Sequence, residues 1–355
     1  MKKLIFSLCL LCFAACGENT FEKDRLKHES GFARGADISW CTEMEADGRK
    51  FYNSAGKSTD IFVLMKELGM TAIRLRVWVN PAAYGSWCDK ADVVAKAKRA
   101  RAQGLDLMID FHFSDFFADP GRQYLPVDWS GYSKANVKTA LADHTKDVLQ
   151  ALKNEGIEPK WVQVGNETDN GMAFPHGRIN WNSESDRFAD YVQLSNAGYD
   201  AVKSVFPKAA VIIHLGIAGN ARWFFSDFKD AGGKFDMIGL SYYPSGIYNN
   251  ADIQELVRGT ADLSGVPVMI CETGFDCNQP ELASEIMADL FERMDEIPRC
   301  AGIFYWEPEV DGKWKPSCYD KLGWAPYDKG AFTTGGQPTK ALDAFGAGQT
   351  SVHHR

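Results

Sequence analysis

Surplus positive charge is missing from this 355-residue chain: 39 Lys plus Arg face 47 Asp plus Glu, for a net charge of −8. A nucleic-acid partner is excluded on that ground, because phosphate binding needs a cationic face. Long apolar runs are also missing. The longest, Leu4 to Ala15, falls short of the roughly 20 residues that span a bilayer as a helix. After Cys16 no two cysteines stand in Cys-x-x-Cys spacing and His is sparse, at 7 in the whole chain, which argues against structural zinc. No Gly-rich phosphate turn follows the first strand-like segment, where Gly35-Ala36-Asp37-Ile38-Ser39 stands instead, so a dinucleotide fold is not indicated.

Apolar and aromatic residues are plentiful. Hydrophobic residues make up 45% and the 10 Trp, 12 Tyr and 22 Phe make up 12%, enough for a large core and for flat walls against sugar rings. Lys2 and Lys3 followed by the apolar run read as a signal peptide over residues 1–15. The segment Phe13-Ala14-Ala15-Cys16 resembles a bacterial lipobox, which makes Cys16 the expected lipidation site and residues 16–30 a polar tether. Glu18, Glu22 and Asp24 resemble signals that send lipoproteins to the outer membrane and cell surface; a periplasmic or secreted product is the alternative. Export would place Cys41, Cys88, Cys271, Cys277, Cys300 and Cys318 where disulfides are allowed, with 15 pairings open.

Eight short segments rich in β-branched and aromatic residues recur at intervals of 25 to 56 residues: 32–39, 72–78, 105–115, 161–167, 210–216, 235–244, 267–275 and 300–308. Helical stretches lie between them, among them Asp60 to Leu68 before Gly69 and Asp92 to Ala102 before Gly104, each with a glycine at its stop. Eight such alternations without a linker predict an α/β protein, a single-domain (β/α)8 TIM barrel over residues 31–348, with a tail at 349–355.

In such a barrel the chemistry sits where strands end. Those ends carry Asp37 and Trp40, Arg74 and Arg76, His112 and Asp115, Asn166 and Glu167, His214, Tyr242 and Tyr243, Glu272, and Trp306 with Glu307. Glu167 and Glu272, 105 residues apart, each close a hydrophobic strand and are expected to converge. Two carboxyl groups across a glycosidic bond are what its cleavage needs, one to protonate the leaving oxygen and one to attack the anomeric carbon. Asn166 is placed to bind the sugar's 2-hydroxyl, Arg74 or Arg76 to keep Glu272 ionised, and Trp306 to wall the ring. The spacing of Asp110, His112 and Asp115 matches no metal-ligand pattern, and no cofactor is required. A structural calcium near Asp311, Asp320 or Asp328 is compatible with the residue types but not demanded by their spacing.

Seven segments carry a resemblance: GADISWCTEMEADGRKFYN (35–53), IRLRVWVNP (73–81), LMIDFHFSDFFADPGRQ (107–123), WVQVGNETDNGM (161–172), RWFFSDFK (222–229), IGLSYYP (238–244) and FYWEPE (304–309). In order, and across nearly all of the mature chain, they closely resemble glycoside hydrolase family 53, the arabinogalactan endo-β-1,4-galactanases. The resemblance implies a retaining endo-hydrolase of β-1,4-galactan, a monomer whose partner is that polysaccharide. It makes Glu167 the acid/base, Glu272 the nucleophile, Asn166 the 2-hydroxyl ligand and Tyr243 a hydrogen-bond partner of the nucleophile. His214 and Arg74 would support the pair; Asp37, Trp40, Trp78, His112, Asp115 and Trp306 would complete the sugar subsites. Another β-glycanase, acting on mannan, xylan or β-glucan, and a non-catalytic glycan-binding lipoprotein are the alternatives.

Three places depart from the family's pattern. Cys271 stands where an aliphatic or small residue is usual, HLGIAGN (214–220) replaces HLDNG, and KWKPSCYDKLGW (313–324) differs from the loop that holds calcium in some members.

Overall fold

The computed structural model describes residues 31–245 and 249–346. The expected signal peptide, Cys16 with its tether, and the tail at 349–355 lie outside the described residues. Strands and helices alternate: β1 (Ala33–Asp37), α1 (Cys41–Ala46), α2 (Ile61–Glu67), β2 (Ala72–Val77), α3 (Lys90–Ala102), β3 (Asp106–Phe111), α4 (Lys134–Asn154) and β4 (Trp161–Val164). A small hairpin, β5 (Gly171–Met172) and β6 (Gly177–Arg178), precedes α5 (Ala189–Val205), β7 (Ala210–Leu215), α6 (Ala221–Asp230), β8 (Met237–Ser241) and α7 (Asn250–Ser264). The chain closes with β9 (Val268–Thr273), α8 (Pro280–Asp295), β10 (Cys300–Trp306), α9 (Ser317–Leu322) and α10 (Asp343–Gly346).

Eight parallel strands, β1-β2-β3-β4-β7-β8-β9-β10, form a closed barrel in which β10 pairs back onto β1. This is the (β/α)8 architecture, with all eight expected strands present and trimmed at their ends. Among the described residues no helix is long and apolar enough to cross a membrane.

Helices α2, α3, α4 and α7 start where Asp60, Asp89, Ser133 and Asn249 satisfy free N–H groups with their side chains. Asp60 caps α2, its carboxylate accepting from Phe62 N at 2.8 Å, and Gly69 takes φ +96° just past the stop. Two apolar layers result. The larger one joins the helices to the outside of the sheet, and a smaller one fills the barrel floor with Met108, Trp161, Ile212, Met269, Cys271 and Phe304. Gly35 leaves room for Phe304 there: a Cβ at Gly35 would lie 2.3 Å from the ring. Cys271 belongs to this floor, and all six cysteines of the described chain are free thiols rather than disulfides.

One irregularity sets the chemistry. Leu240 pairs with Ile270, but Ser241 pairs with Glu272, so β9 carries an extra residue against β8. Strict alternation from Met269 and Cys271 would turn Glu272 away from the barrel axis. The bulge turns it back inward, as bulges do beside functional sites.

Candidate active site

Above the apolar floor the barrel holds a layer of charge around Arg74, which is wholly buried. Its Nη1 reaches Asp37 Oδ2 at 2.8 Å, and its Nη2 reaches Asp110 Oδ2 at 2.8 Å, Asn166 Oδ1 at 2.8 Å and Glu272 Oε1 at 3.0 Å. A guanidinium is the group suited to this, since it stays protonated and offers several fixed donors. Asp110 also binds His112 Nε2 at 2.8 Å, while His112 Nδ1 accepts from Ala118 N at 2.9 Å. Burial alone would lift the Asp110 carboxyl, but Arg74 and His112 hold it below the usual carboxylate range. Of the two arginines considered for Glu272, Arg74 makes the contact; Arg76 pairs with buried Glu307 instead.

Glu167 leaves the ladder by a backbone device. Gly165 takes φ +87° and Glu167 itself φ +46°, a region costly for a residue with a side chain. The turn is pinned by Gln123 Nε2 donating to Asn166 O at 2.8 Å, and Asn166 Nδ2 donates to Ala118 O at 2.8 Å. The glutamate side chain is brought back over the barrel mouth, against Gly216. A Cβ at Gly216 would stand 2.8 Å from the Glu167 carboxyl carbon, so only glycine fits.

Glu167, Glu272 and His214 each present one polar atom within 4.8 Å of the other two. The two carboxyls meet different surroundings. At Glu272 burial raises the pKa, but Arg74 opposes the rise and Tyr243 O–H donates to Oε2 at 3.0 Å. At Glu167 burial raises it further, the negative charge of Glu272 adds to the rise, and the hydroxyl of Ser241, donating to Oε1 at 2.6 Å, pulls the other way. The shared proton therefore belongs on Glu167 and the negative charge on Glu272.

His214 completes a relay. Its pKa is pushed well below the ordinary histidine value by burial and by the Arg74 charge, so the ring is neutral. Gln163 Nε2 donates to Nδ1 at 3.0 Å, which leaves the Nε2–H to point to Ser241 Oγ at 3.0 Å, and the Ser241 hydroxyl donates in turn to Glu167 Oε1. The three atoms near one another are close enough for an ion by distance alone. They are already committed, however, to Ser241, Arg74 and Tyr243, which is the arrangement of an acid and a nucleophile. Asp311, Asp320 and Asp328 pair separately with Arg49, Lys315 and Lys329, and do not converge as a calcium cage requires.

The remaining predicted residues divide. Trp306 is half-buried at the mouth, edge-on to Trp40 with centroids 5.2 Å apart. Trp40 and Trp78 are buried, and they sandwich Arg76, whose guanidinium lies 5.3 Å from each ring and 4.7 Å from Phe117. Glu307 anchors this cluster by accepting from Trp40 N at 3.1 Å, and burial lifts its carboxyl to about 7 against the pull of Arg76. Asp115 stands apart, spending both oxygens on Asn80 N and Val127 N at 2.8 Å each, which ties two loops together. Ser241 and Gln163 were not singled out by sequence. Their signal is the period of two: Ser241 closes β8 two residues before Tyr243 and two after Gly239, and Gln163 is the lone polar residue in Trp161–Val164.

A carboxylic acid facing a carboxylate at this range, at the mouth of a (β/α)8 barrel, defines a glycosidase. The chain belongs to glycosyl hydrolase family 53, whose model matches residues 33–345. An arabinogalactan endo-beta-1,4-galactanase from Cellvibrio japonicus is 31% identical over 343 residues, covering 87% of this chain and 87% of that protein. The GH53 catalytic domain from Ignisphaera aggregans superposes with a TM-score of 0.78 at 28% identity, covering 89% of this chain and 96% of that one. Fungal beta-1,4-galactanases superpose with a TM-score of 0.77 at 27% identity, covering 88% and 98%.

Proposed function

We propose that this protein is an endo-β-1,4-galactanase that cleaves galactan, the pectic type I arabinogalactan side chain, with retention of configuration. The observation that carries the reading is the Glu167–Glu272 pair, with carboxyl oxygens within 4.8 Å and opposite electrostatic settings. Retaining enzymes hold their carboxyls about 5 to 5.5 Å apart, inverting ones about 6.5 to 9.5 Å.

In the first step the Glu272 carboxylate attacks the anomeric carbon while the Glu167 proton moves to the glycosidic oxygen. The carbon–oxygen bond breaks, and a galactosyl ester on Glu272 remains. In the second step Glu167, now a carboxylate, takes a proton from water as the water oxygen attacks the same carbon, and Glu272 departs as a carboxylate. Asn166 is the ligand for the 2-hydroxyl; its Oδ1 is held by Arg74 and its Nδ2 by Ala118 O. His112, Asp37, His214 and Tyr243 position the pair, and Trp306 walls the sugar, with Trp40, Trp78 and Asp115 holding the surrounding subsite loops. The reading includes action as a monomer, and the double displacement needs no chemical group beyond the two carboxyls and water.

Purified protein given potato galactan should release short galacto-oligosaccharides, and leave mannan, xylan and β-glucan intact. Release from one of the linear polymers at a rate comparable to galactan would replace this reading with that of another β-glycanase.

The proposal extends to location. Lys2, Lys3, the apolar run to Ala15 and the lipobox-like Phe13 to Cys16 support export and a lipid anchor on Cys16, at the outer membrane and facing outward. Cys16→Ala should move the protein from the membrane to the soluble fraction; an unchanged membrane fraction would rule the anchor out. Protease added to whole cells should remove the native protein, and its survival would rule out the cell surface.

A further inference from the structure

The loops beside Glu167 carry an aromatic feature that the catalytic site does not use. Trp181 is 44% exposed and Trp223 is 38% exposed, although both are large apolar side chains. They touch: their ring centroids are 5.5 Å apart at 68°. Trp181 is held rather than loose, since its indole N–H donates to Asn170 Oδ1 at 2.8 Å and it leans on buried Phe188 with centroids 6.4 Å apart. Asn170 lies three residues past Glu167, and its Nδ2 donates to Pro120 O at 2.8 Å. Pro120 in turn lies against Gly216, as does the Glu167 carboxyl.

A continuous surface therefore leads from the acid/base outward. Ile217 follows Gly216 and is 48% exposed, on a loop fixed by Asp169, whose carboxylate accepts from Gly216 N at 2.7 Å and Ile217 N at 3.0 Å. The acid/base is by its chemistry on the leaving-group side of the bond, because it protonates the departing oxygen. Glu272, held by Arg74 and Tyr243, by its chemistry serves the sugar that is attacked.

We infer that Trp181 and Trp223 form a stacking platform for the leaving-group portion of the galactan chain, several sugars beyond the cleaved bond. The apolar faces of galactose rings are the complement of exposed indoles, and a rigid aromatic pair binds at low entropic cost. The occupant is the polymer because the patch is continuous with the catalytic mouth through Asn170, Pro120 and Gly216. This inference rests on the proposed galactanase function.

The test compares long and short substrates. The ratio of kcat/KM on potato galactan to kcat/KM on an aryl β-galactobioside, whose leaving group ends at the first position past the bond, reads the platform alone. In Trp181→Ala/Trp223→Ala this ratio should fall about tenfold, the size expected of two lost ring contacts. Trp181→Tyr, which keeps a ring, should retain most of the ratio. With wild-type enzyme acting on both substrates, a wild-type ratio in the double alanine variant overturns the platform, as does a solution dimer that the two substitutions dissolve. Failure of the wild-type enzyme on galactan itself is a different result, and removes the proposed function first.

Discussion

Glu272→Ala should lower turnover on galactan by several orders of magnitude, with the unfolding midpoint kept close to wild type. The substitution removes the atom that forms the bond to the anomeric carbon, so the loss falls on rate rather than on substrate binding. Stability is expected to survive because Glu272 is one of three carboxylates on Arg74, and Asp37 and Asp110 remain to neutralise the cation. Azide gives a sharper reading than activity alone. In Glu272→Ala a small anion can occupy the vacated space and attack directly, yielding an α-galactosyl azide. In Glu167→Ala the ester on Glu272 still forms from substrates with good leaving groups, and azide attacks that ester to yield a β-galactosyl azide. Products of the reverse configuration would exchange the two roles. Ordinary activity in either variant would remove the assignment.

Arg74→Met has the second large expected effect, and it falls on both stability and pH dependence. Removing the guanidinium leaves Asp37, Asp110 and Glu272 buried together without their counter-charge. Breaking a buried ion pair by deleting one partner costs about 3 to 5 kcal/mol, which urea unfolding would detect directly. The pH consequence has a definite sign. Arg74 opposes the rise that burial imposes on Glu272, so its loss lets that carboxyl climb. The nucleophile must be ionised, and the acid limb of kcat/KM should therefore move to higher pH. Arg76→Met is the matched control: its contact is Glu307, so it should destabilise the protein while leaving the acid limb where it was. An acid limb that moves in Arg76→Met and stays fixed in Arg74→Met would contradict the account of which arginine serves the nucleophile.

Much of this was legible in the sequence. Eight apolar segments mark the barrel because parallel strands covered on both faces need continuous hydrophobic stretches. The apolar pattern overruns the strands for a physical reason. Residues 112–115 and 165–167 continue the pattern in sequence but leave the ladder, the latter through Gly165 and Glu167 at positive φ, because a reactive side chain has to stand off the sheet. The two glutamates were visible as charges closing buried strands, whereas the means of aiming Glu272 was not. Alternation from Cys271 points it outward, and it is the register, Ser241 with Glu272 on one side and Tyr305 with Thr273 on the other, that shows the bulge that reverses it.

Arg74 and Arg76 share a strand face two residues apart, so periodicity placed both inward without saying which layer each would occupy. Register resolves that: Asp37 pairs with Arg74 across β1 and β2, while Arg76 rises to the Trp40 and Trp78 level. Alternation marks Ser241 and Gln163 only as inward-facing polar residues; that they serve Glu167, His214 and Asp110 appears only with the fold. The cysteines were open to 15 pairings in sequence, and the fold keeps them as free thiols in its core and loops.

The stereochemistry of the first product tests the central claim most directly. Proton NMR of the anomeric region during early hydrolysis of a galacto-oligosaccharide should show the β-anomer of the new reducing end appearing first and the α-anomer only later, as mutarotation proceeds. The α-anomer appearing first would mean that water attacks across a wider gap, and that Glu167 and Glu272 do not act on one linkage through a covalent intermediate.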